Sequence, residues 1–235
     1  MRKKRNQNIG MISYFNNRVG NLVIKRFFEN NIKIKNVILV GYKEKLSVRK
    51  NYFNYLNSTK GIELEDLEKY NISFHFVKKI NSVYTKNLIN KLNIDILLNY
   101  SGIIKNQLLQ LPNTKIINSH PGMLPFYRGS MCPEWTVINR EKIVGATCHL
   151  VTKYVDEGPI IYQQKLKYPY PKNYYDFRRK IYDLEAGVLI KGVKLLRKKT
   201  KLKFQKKGDG NFYKPMTKKL VSKVKNILKN REFKN

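Results

Sequence analysis

A chain of 235 residues with 42% hydrophobic and 12% aromatic side chains has enough apolar surface to bury a core, which excludes a disordered polyelectrolyte. Its 48 Lys+Arg against 16 Asp+Glu give a formal net charge of +32, which points first at nucleic acid or an anionic surface. The excess sits at the ends, because residues 51–150 carry 11 basic and 7 acidic groups whereas residues 151–235 carry 24 and 7; in a chain crowded with Lys, Asn, Ile and Tyr, an AT-rich genome accounts for it without a polyanion site.

Short apolar strands alternate with helical stretches through the first two thirds of the sequence. That alternation predicts an α/β fold, a mostly parallel open twisted sheet with flanking helices. Residues 8–14 read as the first strand and 18–30 as its helix, with Val19, Leu22, Val23, Phe27 and Phe28 at helical spacing. Strands follow at 37–42, 73–77, 94–99 and 115–119, with helices at 63–70 and 84–92 and a helical turn near 105–109. Residues 118–130 then leave the sheet in a Pro- and Gly-rich loop, at the carboxyl edge where such sheets collect ligands. A helix at 134–139, strands at 143–150 and 160–167 and a long helix at 174–197 complete a catalytic domain of residues 1–197. Residues 198–235 are expected to form a short basic extension, with a turn at Gly208-Asp209-Gly210 and a basic helix after it. The P-loop and Gly-x-Gly-x-x-Gly fingerprints are absent from the sequence, so nucleotide-kinase and dinucleotide-oxidoreductase readings lose their usual support.

Two cysteines, Cys132 and Cys148, are too few for a disulfide framework and lack zinc spacing, so buried thiols, no metal and a reducing, cytoplasmic setting are expected. The basic start at Met1–Arg5 runs into Asn6-Gln7-Asn8 rather than an apolar stretch, unlike a signal peptide. No run approaches the roughly 20 apolar residues of a membrane span.

The densest cluster of chemically useful residues is Asn118-Ser119-His120-Pro121-Gly122, followed by Leu124-Pro125-Phe126-Tyr127-Arg128-Gly129 and, further on, Tyr154-Val155-Asp156-Glu157-Gly158-Pro159. Asn118 and His120 are two apart at a strand end, so their side chains share a face. An amide N–H and an imidazole N–H aimed at one point form an oxyanion hole, and an Asp beside the His orients it and relays protons. Each piece also has an ordinary use: Asn caps turns, a lone His packs, and Asp-Glu-Gly is turn chemistry. His149 and His75 are read as packing residues within strands, and Trp135 as packing beneath the loop that carries His120.

These blocks, together with Gly145-x-Thr147-x-His149 and Asp156-x-Gly158-Pro159-Ile160-Ile161, resemble the 10-formyltetrahydrofolate-dependent formyltransferase family over roughly residues 94–167. The resemblance implies a Rossmann-like fold and a catalytic trio of Asn118, His120 and Asp156. An acceptor amine would attack the formyl carbon while Asn118 and a protonated His120 hold the developing oxyanion and Asp156 supports proton transfer. It further implies that 10-formyltetrahydrofolate is the formyl donor, bound along Tyr100, Ser101, Gly102, Ile103 and Ile104 and along Tyr154, Val155 and Gly158.

Among acceptors, the resemblance to the family's sugar enzymes, which often carry a C-terminal β-hairpin that Lys201–Tyr213 would fit, implies a nucleotide-linked amino sugar, its diphosphate expected to be gripped by Asn16, Asn17 and Arg18 after the first strand and by Lys43 after the second. Glycinamide ribonucleotide is an alternative, weakened because Tyr14-Phe15-Asn16-Asn17 replaces the Gly- and Ser-rich phosphate loop of that enzyme. Methionyl-tRNA follows it, since about forty residues beyond Arg197 are too few for the barrel such enzymes carry. A different class, a basic nucleic-acid-binding protein on this scaffold, would tolerate loss of Asp156; nucleic acid is not the expected partner. A homodimer is expected.

Overall fold

The computed structural model describes residues 7–41, 61–206 and 208–233. Seven strands form one sheet in the order β3-β2-β1-β4-β5-β7-β8, and the chain divides into two compact units, residues 1–118 and 119–235.

In the first unit β1 (Ile9–Tyr14), β2 (Asn36–Val40), β3 (Ser73–Val77), β4 (Ile96–Tyr100) and the start of β5 (Lys115–His120) pair in parallel. Met11 stands opposite Val37 on one side and Leu98 on the other. Both faces of such a sheet are covered, so β1, β2 and β4 are continuous apolar runs rather than alternating ones. The connecting helices are α1 (Arg18–Glu29), α2 (Leu64–Lys69), α3 (Val83–Lys91) and α4 (Asn106–Leu109). Asn17 caps α1 by accepting the Gly20 N–H at 2.9 Å, and Val23, Ile24 and Phe27 are at most 1% exposed. Full burial of each contributes about 1.5–3 kcal/mol.

In the second unit β6 (Tyr127–Gly129) and α5 (Cys132–Ile138) lead to the antiparallel pair β7 (Gly145–Leu150) and β8 (Ile160–Lys165). The 24-residue α6 (Tyr174–Arg197) packs on β7 and β8. Gly192 lets it lie close, because a β-carbon there would run into Cys148 Sγ. The chain then forms β9 (Asn211–Tyr213) and α7 (Lys218–Asn230). A hairpin is expected over Lys201–Tyr213, but the strand pairings of its described residues are with distant segments. β9 instead pairs in parallel with β6, Tyr127 opposite Asn211, and Lys203 makes an antiparallel bridge to Ile160. The partners lie far back in sequence, where no local turn signal could reveal them.

α6 carries a buried polar cluster behind the end of β5. Tyr174 donates to Glu134 Oε1 at 2.7 Å, Arg178 pairs with Glu134 Oε2 at 3.4 Å, and Ser119 donates to Glu185 Oε1 at 3.4 Å. Burial pushes the Glu185 carboxyl from 4.5 up to about 8, against the opposing pull of the Arg178 charge and the Ser119 hydrogen bond. Unfolded chains therefore release this proton near pH 4.5 and folded ones near pH 8, so folding takes up a proton in between and stability falls as pH rises through that window. The Glu185→Gln variant should lack this loss, which is about 1.4 kcal/mol for each pH unit inside the window. Denaturant titrations of both proteins at about pH 5 and 8 check it, and equal losses would contradict the assignment.

Candidate functional site

β5 runs out in Asn118, Ser119 and His120, and alternation puts Asn118 and His120 on one face while Ser119 turns to Glu185 on the other. His120 is 3% exposed. Its Nε2 lies 2.7 Å from the Tyr127 carbonyl and its Nδ1 lies 3.4 Å from Asp156 Oδ2. The glycine of the motif follows from this packing: a β-carbon on Gly122 would stand 2.6 Å from His120 Nε2, 2.7 Å from the Tyr127 carbonyl and 3.0 Å from Cys132 Cβ.

Asp156 occupies the left-handed region at φ 58 and is 8% exposed. Its Oδ2 accepts the Gly129 N–H at 2.9 Å, and its Oδ1 lies 3.6 Å from His149 Nε2. His149, read from sequence as a packing residue, thus belongs to the site. It stands two residues after Thr147 on β7, so strand alternation puts both side chains on one face; the register irregularity here skips Ile161 of β8. Earlier on β7, the same face supports the loop that follows β5. Thr147 donates its hydroxyl to the Gly122 carbonyl at 2.6 Å and accepts the Leu124 N–H at 3.2 Å, while a β-carbon on Gly145 would strike Met123 Sδ. The signal for this was the Gly-x-Thr-x-His alternation, which puts a stripe of functional residues on one strand.

The two imidazoles pose an electrostatic constraint. His120 Nε2 faces the Tyr127 carbonyl and His149 Nδ1 faces the Leu150 carbonyl at 2.9 Å, so each of these nitrogens carries the ring's proton when the ring is neutral. The other nitrogen of each ring would then turn a lone pair on Asp156. Burial drives the His149 ring down to about 4, against the pull of Asp156, so at neutral pH that ring is the uncharged neighbour of the carboxylate. His120 has both nitrogens engaged, so presenting an N–H to an incoming carbonyl oxygen requires releasing the Tyr127 carbonyl.

The expected donor segments are placed as follows. Tyr100 is half-buried, Ser101 is buried against Asn99 Oδ1 at 3.0 Å, and Gly102 sits at φ 100 with its carbonyl held by Asn99 Nδ2 at 2.8 Å. Ile103 is 63% exposed whereas Ile104 is core at 3%, so of these two expected pocket walls only Ile103 faces outward. Tyr154 and Val155 are exposed, while Gly158 is buried where a β-carbon would meet the Leu150 carbonyl. Of the expected diphosphate residues, Asn16 is exposed. Asn17 is spent on structure, capping α1 with Oδ1 and donating Nδ2 to the Tyr100 carbonyl at 2.8 Å. Arg18 opens α1; its side chain, like Lys43, lies outside the described residues.

Trp135 is expected to pack under the loop that carries His120 and reaches that segment through Tyr213. Its indole donates to the Lys214 carbonyl at 2.9 Å and lies against Tyr213, which stacks on Tyr127 at 5.0 Å. Cys132 and Cys148 are free and buried, and burial raises both thiols. Among the described residues no group of three or more His, Cys, Asp and Glu could hold a metal ion. Because a methyl on Gly122 wedges the His120–Tyr127 contact, Gly122→Ala should cost about 1–3 kcal/mol by overpacking, lowering the melting temperature by several degrees. An unchanged melting temperature would contradict that packing.

The sequence pattern of the formyl transferase family matches residues 11–193. Over 124 residues the chain is 29% identical to the methionyl-tRNA formyltransferase of Thermodesulfovibrio yellowstonii, a match covering 53% of this chain and 38% of that protein. It spans under half the length of the first curated relatives it matches. The fold is that of the phosphoribosylglycinamide formyltransferase of Anaplasma phagocytophilum, with a TM-score of 0.65, 20% identity and coverage of 88% of this chain and 97% of that one. It is also that of a sugar N-formyltransferase from Shewanella sp. FDAARGOS_354, with a TM-score of 0.60, 18% identity and coverage of 88% and 76%. With the family pattern running from β1 into α6 and the Asn-x-His-Pro-Gly and Asp blocks meeting it in order, the chain belongs to the formyl transferase family.

Proposed function

We propose that the protein is an N-formyltransferase that moves the formyl group of 10-formyltetrahydrofolate to the amine of a nucleotide-linked amino sugar. The observation that carries the transferase reading is the buried His120–Asp156 pair, with its carboxylate fixed by the Gly129 N–H. The chemistry of the two outward segments suits a flat heteroaromatic donor, since each combines an exposed apolar side chain, Ile103 or Tyr154, with backbone polar groups. When bound, 10-formyltetrahydrofolate supplies a formyl carbon open to attack by an amine.

The chain's own residues supply the rest. Asn118, two residues before His120 on β5, offers an amide N–H to a carbonyl oxygen. His120 adds a second donor once its ring turns from the Tyr127 carbonyl. Asp156 keeps the His120 ring oriented, its Oδ2 3.4 Å from Nδ1, and supports the transfer of a proton from the acceptor amine to the leaving folate nitrogen. Burial of all three of His120, His149 and Asp156 keeps water from competing in that transfer. The amino-sugar reading draws on the sequence after β1, Tyr14-Phe15-Asn16-Asn17-Arg18, which supplies an Arg of the kind that pairs with phosphate oxygens.

Replacing Asp156 by Asn should lower turnover on the order of a hundredfold, the range of a lost proton-handling group, with the fold retained. A folded Asp156→Asn protein at wild-type rate would sink the mechanism and favour a binding protein on this scaffold. Incubation of the wild-type protein with 10-formyltetrahydrofolate and a panel of amino-sugar nucleotides, glycinamide ribonucleotide and methionyl-tRNA, read by product mass, should show formylated sugar. With that acceptor, Arg18→Ala should raise the Michaelis constant roughly tenfold, the loss of a charge-assisted contact. Formylation of glycinamide ribonucleotide or methionyl-tRNA alone, or release of formate to water, would overturn the sugar assignment.

A further inference from the structure

We infer that Gln205, in the segment after α6, is a positioning residue for Asp156; the inference rests on the transferase reading only for its effect on rate. Lys203 and Ile160 exchange two backbone hydrogen bonds, the Ile160 N–H to the Lys203 carbonyl at 2.8 Å and the Lys203 N–H to the Ile160 carbonyl at 3.0 Å. An antiparallel bridge at this pair sets residue 205 opposite residue 158. The Gln205 carboxamide then spends both of its N–H groups on the Asp156 loop, one on the Asp156 carbonyl at 3.1 Å and one on the Gly158 carbonyl at 2.6 Å. Its Oε1 is buried and carries no hydrogen bond, so the side chain's polar work is donation to those two carbonyls.

The loop has reason to be held. Asp156 sits at φ 58, a conformation that costs a non-glycine residue and persists only where its surroundings over-determine it. Gly158 is pressed against Leu150 with no room for a β-carbon. Between them, Glu157 forms an ion pair with Arg128 of β6, and Arg128 also donates to the Gly210 carbonyl at 3.2 Å. Asn211 donates its N–H to the Phe126 carbonyl at 3.1 Å where β9 joins β6. Residues 156, 157 and 158 are thus each tied, directly or through Arg128, to residues 205–210. The backbone clamp at Asp156 aims its carboxylate at His120 Nδ1 and at the Gly129 N–H, so the C-terminal segment sets catalytic geometry without touching substrate.

Gln205→Met keeps the volume and removes both donors; Gln205→Glu does the same should the Met variant fail to fold. The Gly129 amide reports directly on the Asp156 carboxylate it donates to. Its hydrogen exchange in Gln205→Met should quicken about tenfold or more. With 10-formyltetrahydrofolate and an amine that the wild-type protein accepts, kcat should fall about tenfold or more while KM for the amine stays within about threefold. In the Asp156→Asn background the second substitution should slow turnover by no more than about twofold, because the carboxylate it positions is already gone. Unchanged exchange at Gly129, unchanged kcat, or losses that multiply in the double variant would each overturn the proposal. Should the wild-type protein transfer no formyl group, the reading of the reaction falls, and exchange at Gly129 alone decides whether Gln205 holds Asp156.

Discussion

The site depends on one buried carboxylate flanked by two imidazoles, each with its far nitrogen against a backbone carbonyl. Asp156 turns Oδ2 to the Gly129 N–H and His120 Nδ1 and Oδ1 to His149 Nε2, and at 8% exposure a polar group left without partners would be costly. The arrangement therefore fixes the carboxylate beside the motif histidine. It also dictates what surrounds it. Tyr127 must present its carbonyl and Gly129 its N–H from the same short strand, Leu150 must present its carbonyl at the end of β7, and alternation along β7 must put His149 on the face of Thr147.

These demands explain features with no purpose in a plain α/β sheet. A three-residue β6 is too short to hold itself, and its stability comes from the parallel partner β9, from Tyr213 stacked on Tyr127 and from Trp135 bonded to Lys214. α6 serves the same site from behind: Gly192 seats it on Cys148, and its buried Glu185 meets Ser119, the residue before His120. The segment after α6 is therefore structural support for the chemistry, whatever its basic surface also contacts.

Much of the scaffold was legible because its signals are local. β3 spans 73–77 and α6 spans 174–197, as their apolar runs and helical spacing predict. The proximity of His120 and Asp156 was to be expected from the ordered motif blocks and the family resemblance they carry, since each residue taken alone has an ordinary use. What sequence could not show is long-range. The partner of β6 lies more than eighty residues away, so Tyr127–Gly129 read as loop and 201–213 as a hairpin folding on itself. His149 read as a strand packing residue because its partner, Asp156, sits in the loop after β7, where strand periodicity announces no contact. Asn17 had the opposite fate: a polar residue at a helix start reads equally well as a ligand or a cap, and the geometry uses it as a cap.

The chain holds 3 histidines, so ring-nitrogen NMR resolves the central claim residue by residue. At about pH 6 the account predicts that His149 is neutral with its proton on Nδ1, since burial drives that ring down to about 4 and the Leu150 carbonyl fixes the tautomer. It further predicts that Asp156→Asn changes the ring-nitrogen signals of both His120 and His149 while leaving His75, which lies by Asn36, unmoved. A charged His149 at that pH, or His120 signals indifferent to the loss of the carboxylate, would contradict it.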